Sequence, residues 1–392
     1  MRLGDSLPGE GRVASVTWMG SWRMPSGWQG DLRDGRLKEE TMLKRREFIA
    51  ACVTTGLLAG SGAAWGSVRR RDDLDWACEA VQTPPASLKR RSPVVTGVAV
   101  APNEGLIAVV GDDHLVGIYD VASKRFRASL EAHRDWVRAA AFSPDLKSLV
   151  TAGNDRTVYC WNPSTWEQPL LLAQQPHAVF QVAFSPVGDL LATVGFSSTM
   201  YLYDMEGRQE QRRLECPCED MRGIAFSQDG KFIAAGGRCG TVRVWEVATG
   251  KQAAEYKAHR QRIRSLQYNA LGQILSCGDD QVVALTDPFQ PAASVQLPRL
   301  SAKLFAVTLL EDQLCATSGS DNLISIWNLS TRELVGTLKG HTGTVSCLTT
   351  SPRLLVSGSY DTQIRIWQRT AKVGQLESEP SAEVPGWSPR IR

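Results

Sequence analysis

Histidine is scarce in this chain, with five residues in 392, and the aromatic share is 7%. So few imidazoles leave little from which to build a metal centre or a propped-open cofactor site. Charge of one sign is scarce as well. The formal balance is +3 over the whole length, and the short clusters Arg69–Arg71 and Lys89–Arg91 read as solvated linker, not as a phosphate-binding tail. Cysteine occurs nine times but lacks the spacings that chemistry needs. Cys216-Pro-Cys218 is not a covalent haem motif, and no second pair stands at zinc-ligand distance. Cys160, Cys315 and Cys347 fall in expected strands, where a thiol behaves as a small apolar side chain. These absences set the expectation of no cofactor, no metal, no nucleic acid and no small-molecule substrate.

What the chain has is repetition. GSDNLISIWN, from Gly319 to Asn328, returns as GSYDTQIRIWQ from Gly358 to Gln368. With these two, seven copies close at Tyr119, Trp161, Tyr203, Trp245, Thr286, Trp327 and Trp367, at intervals of 42, 42, 42, 41, 41 and 40 residues. A second marker keeps the same beat at Ala101-Pro102, Ser143-Pro144, Ser185-Pro186, Ser227-Gln228, Asn269-Ala270 and Ser351-Pro352. Within one unit, VRAAAF (Val137 to Phe142), SLVTAG (Ser148 to Gly153) and TVYCWN are short β-branched or aromatic runs divided by turn residues. A fourth run follows each aromatic, as in RELVGTLKG, which predicts four strands per unit and no helix in the array. Asp229-Gly230 supplies the positive φ that a tight hairpin prefers.

Units of this length and pattern resemble the WD40 family. The resemblance implies an all-β fold, a seven-bladed propeller of four antiparallel strands per blade, over residues 93–377. It also implies a buried network in which a His, a hydroxyl, an Asp and the Trp hydrogen-bond in series. His133, Thr151, Asp155 and Trp161 match all four places, as do His341, Ser357, Asp361 and Trp367. His259, Ser276 and Asp280 end in Thr286; Thr317, Asp321 and Trp327 lack a His; Trp245 has Ala235 and Cys239 in place of the hydroxyl and acid. The recurrence of His, hydroxyl and Asp mimics a nucleophilic triad. A device repeated in several blades is structural, since an active site is normally built once, and no catalytic residue is expected. The alternative, a propeller enzyme of hydrolase or oxidoreductase type, needs metal ligands or a quinone pocket near the channel, for which few histidines remain.

By the same resemblance the protein is a platform that holds other proteins on the loops at one end of the central channel. The first positions of the innermost strands, Val94, Trp136, Ala178, Asp220, Arg262, Lys303 and Thr344, face that end, with Arg138, Arg222 and Arg264 two residues on. Trp136, Arg138, Arg222, Arg262, Arg264 and Lys303 are therefore the candidate partner-binding residues, an aromatic among cations being what interfaces favour. The alternative for Trp136 is packing against the neighbouring blade. Two segments compete to close the ring: the one before the first blade, where Pro85–Leu88 lies 42 residues ahead of Arg127–Leu130, and Lys372–Leu376 after the last. Residues 67–92 otherwise read as linker, and residues 378–392, rich in Pro, Glu and Ser, as a disordered tail.

Residues 42–66, MLKRREFIAACVTTGLLAGSGAAWG, have the layout of an export signal, and Arg45, Arg46 and Phe48 resemble the twin-arginine type. That route carries folded proteins, so free thiols are compatible with a periplasmic location. The uncharged stretch from Phe48 to Val68 is 21 residues, long enough for an uncleaved anchor and a membrane-held sensory ectodomain. Cys52 as a lipoprotein site comes too soon after the arginines. Residues 1–41 show no period and read as a spurious extension ahead of a true start at Met42. N-terminal peptide mapping of fractionated cells should find a mature terminus near Trp65 in the periplasm; a terminus at Met1 or Met42 in the cytosol would remove the export reading.

Overall fold

The computed structural model describes residues 76–84, 92–188, 190–311 and 313–369. The expected signal with Arg45, Arg46 and Phe48, the extension before it, Pro85–Leu88 and everything after Arg369 lie outside them. The described residues form seven four-stranded antiparallel sheets. Blades 1 to 6 run in chain order from the innermost to the outermost strand, beginning at Val95, Val137, Val179, Met221, Ile263 and Leu304. Blade 7 takes its three inner strands from Val345–Thr350, Leu354–Ser359 and Gln363–Arg369, and its outer strand from Trp76–Gln82. The array departs from the expected all-strand pattern once, at a 3-10 turn over Pro291–Ala293 in blade 5. Proline fixes φ near the helical value and lacks the amide hydrogen a strand would need, so it starts such a turn readily. No helix among the described residues is long and apolar enough to cross a membrane.

The sequence puts two buried strands in the middle of each blade, and the reason is visible in the packing. Leu149–Gly153 is buried at every position, as are Ile274–Gly278 and Leu354–Ser359. Sheets stacked on both faces have no solvent side, so the apolar and polar alternation is lost there and survives on outer strands such as Arg125–Glu131. The core is accordingly divided into seven clusters, each shared by two neighbouring blades. One joins Val116 and Ile118 of blade 1 to Val137, Leu149 and Trp161 of blade 2. Another joins Ile107 and Tyr119 of blade 1 to Val356 and Ile364 of blade 7. A single blade could bury neither face, and only the closed ring leaves no apolar face bare.

One irregularity recurs in every blade and shapes the inner wall of the channel. The innermost strand slips register against the second strand at its second residue, between Val95 and Gly97, Val137 and Ala139, Val179 and Gln181, Met221 and Gly223, Ile263 and Ser265, Leu304 and Ala306, and Val345 and Cys347. Each slip is a β-bulge that leaves one residue unpaired and turns it out of the ladder. The bulge brings the preceding carbonyl hard against the end of the second strand. A Cβ on Gly153 would sit 2.2 Å from the Trp136 oxygen, and one on Gly195 2.0 Å from that of Ala178. The repeated glycine there is demanded by this close approach.

Ring closure uses the N-terminal side, but not the residues expected. Trp76–Gln82 pairs with Gln363–Arg369 over seven positions, from Trp76 with Arg369 to Gln82 with Gln363. Thr83 Oγ1 donates to the Thr362 carbonyl at 2.6 Å, and Tyr119 OH of blade 1 reaches across to Glu79 at 2.9 Å. Thirteen positions separate Gln82 from Val95, where six separate Glu131 from Val137. A count of 42 back from the outer strand of blade 1 assumes the ordinary connection and therefore lands seven residues late. Deleting residues 76–82 should lower the melting midpoint of the whole ring and expose apolar surface on blade 7, whereas a chain ending at Arg369 should keep the parent midpoint. The reverse pattern in differential scanning calorimetry would assign closure to the tail.

Candidate functional site: the mouth of the central channel

The polar network comes first, because it holds the loops that frame the channel. In blade 2, Trp161 Nε1 lies 2.9 Å from Thr151 Oγ1, which lies 2.9 Å from His133 Nε2, and His133 Nδ1 lies 2.9 Å from Asp155. Indole only donates and a carboxylate only accepts, so the donations run from Trp161 through Thr151 and His133 to Asp155. Asp155 also accepts from the Arg134 amide and the Thr157 hydroxyl, tying the loop before the innermost strand to the turn after the second. Burial raises its carboxyl, but His133 above all, with Thr157 and the Arg134 amide, outweighs this and holds it down to about 2. Blade 7 repeats the arrangement with Trp367, Ser357, His341 and Asp361 at 2.8 to 2.9 Å. In blade 5, His259 bridges Ser276 and Asp280 at 2.9 Å each.

The remaining blades fill the same places with other chemistry. Gln175 stands three residues before Ala178, as His133 does before Trp136, and its Nε2 donates to Thr193 at 2.6 Å and to Tyr203 OH at 2.8 Å. In blade 6, Trp327 Nε1 still reaches Thr317 at 3.2 Å. In blade 4, a disulfide joins Cys218 to Cys239 with Cα atoms 5.7 Å apart. Cys239 occupies the Asp position, and the 21-residue separation equals that of His259 and Asp280. A covalent bond thus replaces the His to Asp hydrogen bond. The sequence leaves the oxidation state of the cysteines open, and the fold decides it for this pair by setting Cys218 across the loop from Cys239. Cys216 stays free and buried, with Arg243 Nη1 3.5 Å away. Cys160 and Cys315 are buried strand residues.

The bulges build the site itself. The residues they turn out are Thr96, Arg138, Phe180, Arg222, Arg264, Phe305 and Ser346, one from each blade, and all seven line one cavity of about 190 Å³ on the channel axis. Arg138, Arg222 and Arg264 are thus brought together as the spacing anticipates. Phe180 and Phe305 were not anticipated, although they stand in the same register. The Arg222 guanidinium lies 4.4 Å from the Phe180 ring and 5.0 Å from Phe196, Arg138 lies 6.0 Å from Phe180 and 4.6 Å from Trp136, and Arg264 lies 5.0 Å from Phe305. Such contacts hold the guanidinium planes in place. Trp136 keeps 37% of its surface exposed, with the Arg138 guanidinium over its ring. Lys303 is exposed and does not line the cavity.

Acids divide this cluster unequally. Asp220 pairs with Arg222 at 2.7 Å and with Arg262 at 2.7 Å, while Asp279 pairs with Arg264 at 2.7 Å and with Arg262 at 3.7 Å. Arg138 has no carboxylate within ion-pair distance among the described residues; its Nε donates to the Asn154 amide oxygen at 2.9 Å. Burial, together with the charge of Arg222, pushes the Arg138 guanidinium down from its ordinary value. Among the described residues no group of three or more His, Cys, Asp or Glu is placed to hold a metal ion.

These features define a β-propeller built of WD40 repeats. The repeat model described as "WD domain, G-beta repeat" matches residues 124–162, 170–204, 208–246, 250–287 and 332–368. The chain is similar over 66 residues, at 38% identity, to mitochondrial division protein 1 of Mycosarcoma maydis, covering 17% of this chain and 8% of that one. It is 37% identical over 84 residues to the periodic tryptophan protein 2 homolog of Schizosaccharomyces pombe, covering 21% and 10%. The matches therefore span about a tenth of each relative's length.

Two stability devices at equivalent places should respond to different conditions. Asp155→Asn should lower the melting midpoint at neutral pH. The carboxyl is depressed in the folded state, so its contribution is present above the unfolded value near 4 and fades as pH falls toward 2. The gap between the variant and its parent in thermal melts should close over that range; a gap that persists at pH 2 would contradict the assignment. Reductant, or Cys218→Ser, should cost about 3 kcal/mol, the usual value for closing a loop of this size. Calorimetry showing no shift on reduction would refute a stabilising bond.

Proposed function

We propose that this chain is a non-catalytic protein-binding platform whose partner docks on the channel-mouth face, and that it acts after export through the twin-arginine-type signal at Arg45 and Arg46. The observation that carries the docking surface is the set of bulge residues at one end of the channel, with Trp136 exposed beside Arg138. Every bulge is held by a strand paired within its blade, so the surface is rigid before binding, and little ordering entropy is lost on association. Aromatic and arginine side chains are those that dominate binding energy when a partner desolvates them. WD40 repeats in a ring support the reading, since such rings typically bind other proteins. The short similarity to mitochondrial division protein 1 and periodic tryptophan protein 2 supports the repeat class and gives no partner for this chain.

Cross-linking and co-purification from the native cell, comparing the parent chain with Trp136→Ala, tests the surface. Loss of a central aromatic anchor should weaken the partner by roughly thirtyfold, about 2 kcal/mol, with an unchanged melting midpoint. Recovery of the same partners with unchanged affinity would move the interface elsewhere on the ring.

A further inference from the structure

We propose that the partner presents a single oxyanion-bearing side chain, carboxylate or phosphate, that seats in the channel mouth across Arg138 and Arg222 in front of Phe180. This deepens the platform reading and rests on it.

Charge complementarity carries the inference. Four guanidinium groups, of Arg138, Arg222, Arg262 and Arg264, converge on the blade 2 to blade 5 side of the mouth, and two carboxylates, Asp220 and Asp279, answer them. The excess is concentrated at Arg138, which donates to an amide oxygen, lies against two aromatic rings and feels Tyr360 and, more weakly, the Asp135 carboxylate, with no carboxylate within ion-pair distance among the described residues. Ring faces fix a guanidinium without neutralising it. Arg222 and Arg262 repel each other through the same space that Asp220 partly screens, and Arg222 acts in the same way on Arg138. A group that supplies oxygen lone pairs and negative charge at this point relieves the excess at Arg138 and the repulsion between Arg138 and Arg222 together.

The geometry narrows the occupant further. A cavity of about 190 Å³ accepts one side-chain head and not a folded element. On the opposite side of the ring, Thr96 and Ser346 already give their hydroxyl hydrogens to the carbonyls of Val137 and Val95, so they offer an incoming anion no free donor, and the donors that remain are on the arginine side. An ammonium or guanidinium ligand would meet the four arginines and be repelled. Phe196 and Tyr360, 40% and 45% exposed, flank the cavity with Trp136 and provide apolar purchase for residues on either side of the anion. A nucleic acid would use a row of cations along its backbone; here the cations converge on one point, which favours a peptide segment.

The test uses the full chain and immobilised hexapeptide libraries in which each position in turn is Asp, Glu, phosphoserine, Gln or Ser, with a single-stranded oligonucleotide as comparison. The expected result is enrichment of acidic residues at one position, a loss of at least tenfold when that position is Gln, and a similar loss for Arg138→Gln with partial rescue by Arg138→Lys. Enrichment of phosphoserine over Asp and Glu would assign the anion to phosphate, and the converse to carboxylate. Affinity should also fall with salt for the parent chain, a readout that needs no variant to fold. No acidic enrichment, equal binding by Arg138→Gln of unchanged melting midpoint, or tighter binding of the oligonucleotide would each overturn the proposal. Should Trp136→Ala still lose native partners while acidic selection is absent, the platform stands and the anion reading alone falls.

Discussion

The pairing of Trp76–Gln82 with Gln363–Arg369 is the interaction on which the rest of the structure depends. It joins the two ends of the described ring, so it is formed against the largest loop-closure cost in the fold. Once it is made, the seventh inter-blade cluster, with Ile107 and Tyr119 against Val356 and Ile364, becomes enclosed as the other six are. Hydrogen bonds from Thr83 to Thr362 and from Tyr119 to Glu79 seal the same seam. The channel mouth exists only as a consequence. Its seven lining residues come from seven blades, and no arc of the ring presents Arg138, Arg222 and Arg264 in register until the ends meet.

Within the ring, stability is supplied locally and by interchangeable means. The link between the loop ahead of the innermost strand and the turn after the second is His to Asp in blades 2, 5 and 7, and a disulfide in blade 4. In blade 3, Gln175 from the same loop is instead tied to Thr193 and Tyr203. Each device fastens the loop that carries the first channel-mouth residue. In blade 4 that residue is Asp220, two positions after Cys218, and Asp220 is the acid that pairs both Arg222 and Arg262. The most charged part of the mouth is thus held by the one covalent fastening among the described residues.

The sequence makes legible whatever repeats with the same residue types, seven times for the strands and three times for the His–Asp link. Blade number, strand order and the His–Asp networks follow from period and residue type, since each copy restates the same physical demand. Substitutions that answer the demand with different chemistry escape such reading: Cys239 looks like a lost acid until Cys218 is seen opposite it, and Gln175 looks like nothing until Tyr203 receives its second hydrogen. The closing strand escapes for another reason, because it sits seven residues off the beat. Phe180 and Phe305 were legible by position, since they occupy the register of Arg138. Charge marks a site in a sequence more plainly than the aromatic faces that fix where the charges point, and only the folded ring shows the two together.

A bulge repeated in all seven innermost strands has a cost, one unpaired residue per blade and, in blades 1 to 6, a glycine at the end of the second strand to admit the displaced carbonyl. The fold tolerates that cost everywhere, which makes the seven half-buried bulge positions free to vary without disturbing the ladder. Thr96 and Ser346 use the freedom to bind neighbouring strands, and thereby strengthen the seams of blade 1 with blades 2 and 7. Arg138, Phe180, Arg222, Arg264 and Phe305 use it otherwise. They concentrate guanidinium groups on aromatic faces at a point where ring closure forbids them to move apart, and a preorganised cluster of like charges is stable only because Asp220 and Asp279 screen part of it. The remainder at Arg138, which no carboxylate among the described residues pairs directly, is therefore a property of the closed ring and not of any one strand, and it is the feature by which this propeller's face differs from a bare structural end.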